Sequence, residues 1–326
     1  RSKHRKRALT IGEPRGTMAG AAGLLLTARV AVRVSREGRA AMSQETITYL
    51  GPGGVAARPE DTTHEFRFLG TSSGLGIPSF FCHCPACEEA RAHPEYARCC
   101  SAAIVMGRCN LLIDTPPDLR IELVREGIDS IAGLAYTHTH YDHFGSLGEL
   151  DYYVHLNTGV QIPTYVGWRG HDEIASANGY MLDCLDRHLI EPFQSFEFDD
   201  VVYQAIPATH APGTFGWLMT FPAGTTLLYM CDTATLSDEA ASTIRGRVDV
   251  IAWDATCWGT NLAPENHHNA QQAVDEAAEL GASQIYLTHL APHYADIPAC
   301  HDDMEAFANQ YEGHVHIAYD GLRLRL

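Results

Sequence analysis

The segment from Thr137 to His143 reads Thr-His-Thr-His-Tyr-Asp-His and directly follows the apolar run at 133–136, which is predicted to be a β-strand. Four potential metal ligands fall within six residues: His138, His140, Asp142 and His143. His138 and His140 are two residues apart, so they share one face where the chain is extended. A single His-x-His pair would be weak evidence, because many buried histidines simply hydrogen-bond to the backbone. The complete cluster after an apolar strand favours a metal site.

Three later residues occupy similar positions, each just after an apolar, strand-like run: His210 after 201–206, Asp232 after 226–230 and His289 after 284–288. Any one of them alone is as consistent with packing as with a site. Three ligand-capable residues at strand ends are difficult to attribute to packing. Because sites are usually assembled at strand ends along one edge of a sheet, we expect these residues to join the first cluster.

The rest of the chain alternates between strand-like and helix-like segments, with no internal repeat. Eleven runs rich in Ile, Val, Leu, Tyr or Phe are predicted as strands: 66–69, 103–106, 110–114, 133–136, 162–166, 201–206, 214–220, 226–230, 248–254, 284–288 and 314–319. Five segments show helical periodicity: 117–126, 146–155, 237–244, 270–280 and 301–310. Strands dominate and helices interrupt them singly, so we predict one α/β domain with two sheets and helices outside.

Charge is unevenly distributed along the 326 residues, whose formal net charge is −17 at pH 7. Residues 1–42 contain ten basic and two acidic residues, whereas residues 43–326 contain 13 basic and 38 acidic ones. We predict that 1–42 is a disordered leader or an upstream extension, with Met42 as the natural start, and that 43–326 folds as a single domain. An acidic body argues against nucleic-acid binding, which needs a basic face.

The apolar and cysteine patterns indicate the compartment. No run approaches the ~20 apolar residues that span a membrane, so no membrane association is expected. Three of the ten cysteines, Cys82, Cys84 and Cys87, form a C-x-C-x-x-C hook in a chain with 18 histidines. This spacing suits a metal site in a reducing compartment better than disulfides, so we predict a cytoplasmic protein.

The His-x-His-x-Asp-His cluster followed by single His, Asp and His residues resembles the metallo-β-lactamase superfamily over roughly residues 64–326. The resemblance implies a four-layer αββα sandwich that binds two divalent ions, Zn²⁺ or Mn²⁺, both of which accept imidazole and carboxylate ligands. The implied ligands are His138, His140 and His210 for one ion, Asp142, His143 and His289 for the other, and Asp232 bridging both. Asp114 is implied to orient the ligand loop, and Asp254 has a similar but less supported part.

The cysteine hook narrows the resemblance. A glycine-rich turn at 70–78 leads into the hook, as in the PhnP-like cyclic phosphodiesterases, in which three cysteines and one histidine hold a structural zinc. The histidine just beyond the last active-site histidine is His293, although the family spacing is one residue shorter and lacks the inserted proline. His83 and Cys109 are the alternatives for the fourth ligand.

Asn266-His267-His268, ahead of the predicted helix 270–280, also matches this branch. The resemblance implies a metal-bridging hydroxide that attacks the phosphorus of a 5-phosphoribosyl 1,2-cyclic phosphate-like substrate. Asp142 takes part in this site, and His267 is implied to protonate the leaving oxygen, which histidine can do near neutral pH. For the second phosphate the sequence leaves Arg169, Arg98 and the Gly74–Gly76 turn open.

Three alternatives remain at this stage. A tRNA 3′-processing nuclease shares the ligand cluster but needs a basic arm to bind RNA, and the acidic body at 43–326 contains no Lys/Arg-rich insertion. A thioester, lactone or β-lactam hydrolase uses the same metal chemistry on a carbonyl group. The third alternative is a non-enzymatic metal-binding or redox module. Oxygen-reducing di-iron sites of this kind typically have a Glu within the His-x-His-x-Asp-His cluster, which is absent here. We therefore expect a small phosphorylated substrate and no nucleic acid as partners, and the family also allows a homodimer.

Overall fold

A computed structural model describes residues 63–177, 179–297 and 299–326, together with the backbone of three short strands nearer the N-terminus. These strands are β1 (Arg29–Val32), β2 (Val34–Ser35) and β3 (Glu45–Thr48). β1 pairs with β3, and β2 pairs with a strand of the second sheet described below. Apart from β1 and β2, the predicted leader at 1–42 lies outside the described residues.

The first sheet carries the strand that leads into the His-x-His-x-Asp-His cluster. Its strands are β4 (Glu65–Gly70), β5 (Ala102–Met106), β6 (Leu111–Ile113), β7 (Gly133–Ala135), β8 (Ile162–Gly167), β9 (Leu185–Ile190) and β17 (Arg323–Arg325). Their order is β17-β4-β5-β6-β7-β8-β9. The pairs from β17 to β6 are antiparallel, whereas β6, β7, β8 and β9 run parallel. The carboxyl ends of β6 and β7 therefore lie at the same edge.

The second sheet carries the three later ligand candidates. Its strands are β10 (Ser195–Phe198), β11 (Val201–Pro207), β12 (Phe215–Thr220), β13 (Thr226–Met230), β14 (Val250–Asp254), β15 (Gln284–Thr288) and β16 (Val315–Ile317). Their order is β16-β15-β14-β13-β12-β11-β10-β2. β11 and β13 are both antiparallel to β12, and β13 to β16 are parallel. The carboxyl ends of β11, β13, β14 and β15 therefore face one edge.

Helices connect the strands and cover the outer faces of both sheets. The α-helices are α1 (Pro85–Ala92), α2 (Leu119–Glu126), α3 (Tyr141–Phe144), α4 (Leu147–Tyr153), α5 (Trp168–Ala177), α6 (Asp238–Ile244), α7 (Ala270–Leu280) and α8 (His301–Ala308). Short helical turns of other types lie at Val154–Thr158, Pro94–Tyr96, Gly179–Cys184, Pro292–Tyr294 and Asn309–Tyr311. None of the described helices is both long and apolar enough to cross a bilayer.

Strand β13 shows how the layers are packed. Successive side chains of a strand point to opposite faces, so Leu227 and Tyr229 lie in the core between the sheets, where they pack with residues such as Phe66. Leu228 and Met230 point the other way, into a second core beneath α6, α7 and α8. A third core lies between the first sheet and helices α2, α4 and α5. The predicted four-layer αββα sandwich is confirmed.

Candidate dinuclear metal site

Strand ends from both sheets meet along one edge of the sandwich. In the first sheet, Asp114 follows β6 and the segment 137–143 follows β7. In the second sheet, His210 comes shortly after β11, Asp232 follows β13 and His289 follows β15. The topology therefore brings the predicted ligands together although up to 151 residues, from His138 to His289, separate them in the chain.

The first group consists of His138, His140 and His210. One ring nitrogen from each lies within 4.8 Å of the others. His210 Nε2 is 3.1 Å from His140 Nδ1, and the His138 ring centroid lies 4.6 Å from that of His140 and 5.1 Å from that of His210. Three imidazoles that converge on one point are a familiar metal-binding arrangement.

The second group surrounds the carboxylate of Asp232. Asp142 Oδ2 is 3.4 Å from His143 Nε2 and 3.6 Å from His289 Nε2. Asp232 Oδ2 is 3.0 Å from His143 Nε2, and its Oδ1 is 3.4 Å from His289 Nε2. The same Oδ1 lies 3.8 Å from Nε2 of His210, in the first group. Asp232 therefore contacts both groups, as a bridging carboxylate would.

Four of the five ligand-candidate histidines have their Nδ1 nitrogen occupied by a neighbouring oxygen atom. The contacts are His138 with Thr137 Oγ1 (3.1 Å), His143 with Asp114 Oδ2 (2.9 Å), His210 with the Asn266 carbonyl (3.0 Å) and His289 with Thr256 Oγ1 (2.7 Å). Such contacts fix the ring orientation and the tautomer, which leaves Nε2 as the nitrogen that can bind a metal.

Asp114 is the most completely buried of these supports. It accepts hydrogen bonds from the Thr137 backbone N–H (2.8 Å) and the Thr137 hydroxyl (2.7 Å), in addition to its contact with His143. Burial raises the pKa of Asp114, while the contacts with His143 and Thr137 act in the opposite direction. The carboxylate joins the backbone before the cluster to the imidazole at its end, which is the orienting position predicted from the sequence.

Orphaned polar atoms show that these residues fit metal ions. Within the described residues, four buried atoms make no well-aligned hydrogen bond: Nε2 of His138, His143 and His289, and Oδ2 of Asp232. His143 Nε2 and Asp232 Oδ2 are 3.0 Å apart, but that contact lacks hydrogen-bond geometry. Each unpaired buried polar group costs about 1–3 kcal/mol, so such groups are rare. Bound cations would accept lone pairs from all four atoms at once. The donor set therefore fits two divalent ions, with mixed nitrogen and oxygen ligands.

The protonation states inside the cluster support this reading. Burial opposes ionisation of Asp232, but the imidazoles of His289 and His143 outweigh it and hold the pKa of Asp232 well below its usual range. Burial keeps the pKa of His138 well below its usual value, so that ring is neutral. Burial also opposes protonation of His143, yet Asp142 and Asp232 raise the pKa of His143 well above the ordinary value. A metal ion bound at His143 would have to displace a proton.

His267 lies beside the two groups rather than within them. Its Nδ1 is 2.7 Å from Asp254 Oδ2, 3.1 Å from Thr256 Oγ1 and 3.6 Å from Asp232 Oδ1. Burial opposes protonation, but the hydrogen bond and charge of Asp254 outweigh it and raise the pKa of His267 to about 9. Asp254 also accepts the backbone N–H of Thr256, so it holds the loop and the imidazole together.

The sequence pattern did not indicate a role for His268, which the structure supplies. His268 is buried, and its Nε2 lies 2.7 Å from Oε2 of Glu276 on α7. The other carboxylate oxygen of Glu276 accepts the backbone N–H of Leu236. The adjacent histidines thus face different surroundings, with His267 at the site and His268 anchoring its loop to α7. The signal available in the sequence was Glu276, a carboxylate on the predicted helix 270–280, eight residues after His268.

The cysteine hook forms a separate cluster. The Sγ atoms of Cys82, Cys84 and Cys87 lie within 4.8 Å of one another, and Cys87 is buried in α1. His293 lies in the turn Pro292–Tyr294, which packs against α1. Both ring nitrogens of His293 are buried and have no hydrogen-bond partner in the described part of the chain. Burial lowers the pKa of His293, which favours the neutral ring that ligates zinc.

The two alternatives for the fourth hook ligand have different surroundings. The His83 side chain is 77% exposed, and its Nδ1 is 2.7 Å from the Glu88 carboxylate. Cys109 precedes β6, at the end of the strand opposite Asp114, and its backbone N–H donates to Asp199. His293 is therefore the better placed of the three.

The glycine-rich turn at 70–78 closes one side of the site. A Cβ atom on Gly74 would lie 2.8 Å from Asp142 Oδ2, so this position approaches the ligand too closely for a side chain. Arg98 is buried under the same turn, where it donates to Thr71 Oγ1 and to the carbonyl of Ala318. Its guanidinium is used to hold the turn.

Comparisons with known proteins agree with the fold. The family model described as a beta-lactamase superfamily domain matches residues 109–290. The octanoyltransferase of Porphyromonas gingivalis (strain ATCC BAA-308 / W83) is 23% identical over 265 residues, 78% of this chain and 50% of that protein. Ribonuclease Z 1 of Schizosaccharomyces pombe (strain 972 / ATCC 24843) is 26% identical over 133 residues, 40% of this chain and 16% of that protein. The chain thus spans half or less of the length of these curated relatives.

A solved structure of a diphosphatase from the PhnP family superposes with a TM-score of 0.69 at 24% identity, covering 81% of this chain and 97% of that one. At this identity the likeness shows the fold. The family model, in contrast, covers more than half of the chain. The protein therefore belongs to the β-lactamase superfamily and has the metallo-β-lactamase fold.

Proposed function

We propose that the protein is a metal-dependent phosphodiesterase that opens a small cyclic phosphodiester of the 5-phosphoribosyl 1,2-cyclic phosphate type. The observation that carries the proposal is the placement of His267 beside Asp232, where an imidazole adjoins the metal donor set without being needed as a ligand. The cysteine hook and the similarity to a PhnP-family diphosphatase support the same reaction class.

Residues of this chain define what the site would contribute. Two divalent ions, held by His138, His140 and His210 and by Asp142, His143 and His289 with Asp232 between them, would supply Lewis acidity and a water of lowered pKa. Hydrolysis adds one water across one P–O bond, and the leaving alkoxide oxygen takes up a proton. His267 donates that proton from Nε2, because Asp254 occupies Nδ1 and holds the ring in place.

Removal of the imidazole tests this role. We expect His267→Ala to lower kcat on the cyclic phosphodiester by about 10²–10⁴-fold, the usual contribution of a general acid, without loss of bound metal. His93→Ala is the matched control, because that side chain is 57% exposed and lies against Glu95. Unchanged turnover by His267→Ala with its metal content intact would exclude the assigned role.

A substrate comparison tests the reaction class. Protein of known metal content would be assayed with bis(p-nitrophenyl) phosphate, ribose 1,2-cyclic phosphate 5-phosphate, nitrocefin, an acyl thioester and a precursor tRNA. We expect turnover of the phosphodiesters, with the small cyclic one preferred. Turnover confined to nitrocefin or the thioester would replace the proposal with hydrolysis of a β-lactam amide or a thioester, and turnover confined to the tRNA would replace it with RNA processing.

A further inference from the structure

We infer that the cavity beside His138 and His140 holds the non-reacting end of the substrate, and that Arg169 selects a second phosphate group there. The inference rests on the proposed function, because it assigns the recognition of that substrate class to a place in the same site. It rests on the cavity, on the way Arg169 is held and on the surroundings of the other cations near the turn.

The cavity has a volume of about 390 Å³ and opens directly from the first ligand group. His138 and His140 line one side, and α5 and the loop at 211–213 line the other. Small-molecule sites are commonly concave and have a volume of about 300–1,000 Å³. A substrate whose reacting group lies at the histidines would therefore extend its remaining part toward α5.

Arg169, on the first turn of α5, is held in the cavity wall with part of its guanidinium unused. Its Nε donates to Glu173 Oε1 over 2.6 Å, and Glu173 Oε2 accepts the hydroxyl of Thr139. Both oxygens of the carboxylate are therefore occupied. Among the described residues, the two terminal amino groups of Arg169 have no hydrogen-bond partner. Paired N–H donors in a planar fork match a phosphate better than a lysine ammonium would.

The contact through Thr139 connects this subsite to the ligands. Thr139 lies between His138 and His140 in the chain. Its hydroxyl donates a hydrogen bond to Glu173, whose other oxygen accepts one from Arg169. Gly213, whose φ is +83°, places its Cα against the Arg169 side chain, where an added Cβ would lie 3.1 Å from the Arg169 Cβ. The loop at 211–213 therefore packs against the stem of Arg169, and Glu173 fixes the guanidinium relative to the reacting end.

The other candidates for a second phosphate site are already occupied. Arg98 is only 7% exposed and donates to protein oxygens beneath the turn. Gly74 packs against Asp142, which leaves that part of the turn in contact with a ligand carboxylate. In a body with a net charge of −25, Arg169 is the one arginine among the described residues that lines the cavity beside the donor set, which gives a charge-based preference for one anionic group.

A pair of substrates that differ only in the second phosphate tests the inference. The values of kcat/KM for ribose 1,2-cyclic phosphate with and without the 5-phosphate would be measured on the metal-loaded wild type, Arg169→Gln, Arg169→Lys and Arg120→Gln. Arg120 is the matched control, because its side chain is 74% exposed and lies 3.7 Å from Glu149, outside the cavity. Loss of a charge-assisted hydrogen bond predicts that Arg169→Gln lowers the ratio of kcat/KM with the 5-phosphate to kcat/KM without it by about 10- to 100-fold. Most of this change should come from a higher KM for the 5-phosphorylated substrate.

The outcomes separate the subsite from the reaction. Arg169→Lys should retain part of the preference, and Arg120→Gln should keep the wild-type ratio. If both substrates are hydrolysed and Arg169→Gln keeps the wild-type ratio, the subsite assignment is wrong while the proposed function stands. If neither is hydrolysed, the proposed function fails, and the Kd values of ribose 5-phosphate and ribose decide the subsite. Equal discrimination between these two ligands by wild type and Arg169→Gln would then overturn it.

Discussion

Replacing Asp114 by asparagine removes one charge from a buried, fully hydrogen-bonded position and changes little else in shape. In the wild type, both carboxylate oxygens accept hydrogen bonds, from the backbone and hydroxyl of Thr137 and from Nδ1 of His143. An asparagine has one accepting oxygen and one donating amide. If its oxygen continues to accept the Thr137 backbone N–H, its NH₂ group faces the Thr137 hydroxyl and His143 Nδ1.

The size of the effect follows from that conflict. The Thr137 hydroxyl can rotate and accept, but His143 Nδ1 can avoid the new donor only by giving up its proton. The ring then carries its proton on Nε2, the nitrogen 3.0 Å from Asp232 and needed for the metal. Restoring the binding tautomer forfeits a charge-assisted hydrogen bond of about 1.5–3 kcal/mol. That corresponds to a loss of about 10- to 150-fold in affinity for the ion at His143, in line with other metal-site supports.

Competition with a fluorescent chelator would measure the two zinc affinities, and nitrogen NMR would report the His143 tautomer. We expect Asp114→Asn to weaken one ion selectively and, in the metal-free protein at a pH where the His143 ring is neutral, to move its proton from Nδ1 to Nε2. Asp118→Asn is the control, because Asp118 accepts the backbone N–H of Cys100 and makes no contact with a ligand histidine. Wild-type affinity for both ions in Asp114→Asn, with the tautomer changed, would refute the reasoning.

Two further predictions concern the turn and the far end of the sandwich. Gly74→Ala would place a Cβ 2.8 Å from Asp142 Oδ2, so we expect loss of one bound ion, with little change in the Tm of the metal-free protein. In the control Gly179→Ala, the added Cβ meets no atom within 4 Å in the described chain. Full metal content in Gly74→Ala would contradict the prediction. Burial lowers the pKa of His64, but the hydrogen bond to Asp199 outweighs it and raises the pKa above 6.5. The protonated imidazole therefore stabilises the folded protein fully below about pH 6.5, and this stabilisation is lost as the pH rises through the pKa of His64 in the folded protein. In urea unfolding, the free energy of unfolding of His64→Gln should therefore fall further below that of the wild type at about pH 5.5 than at about pH 8.5. An equal difference from the wild type at both pH values would show that this pair does not control stability.

Periodicity predicted the central strands and most helices because those segments face apolar layers. The strands at 226–230 and 284–288 and the helix at 270–280 have their predicted bounds. Strand β9 was missed because only its two end residues, Leu185 and Ile190, are buried, and the residues between them are three polar ones and the exposed Leu189. Helix α5 was missed for a related reason, since its Gly170 and polar side chains weaken the periodic pattern around the buried Ile174.

The ligand candidates were recognisable one at a time, because a polar residue that ends an apolar strand is visible in the sequence. Their supports were less visible. Glu173 and Glu276 look like ordinary charged residues on helix surfaces, yet one holds Thr139 and Arg169 and the other holds His268. Their roles depend on which loop packs against each helix, and no local pattern records that contact.

The sequence by itself determined the layered class of the fold and the set of groups that can bind metal, because alternation of apolar residues and clustering of His and Asp are local properties of the chain. Only the tertiary structure decided the rest. Two sheets had to align the carboxyl ends of their strands before Asp232 contacted both His143 and His210. The same packing buried Arg98 and left Arg169 facing the cavity, since burial depends on the neighbours that folding supplies.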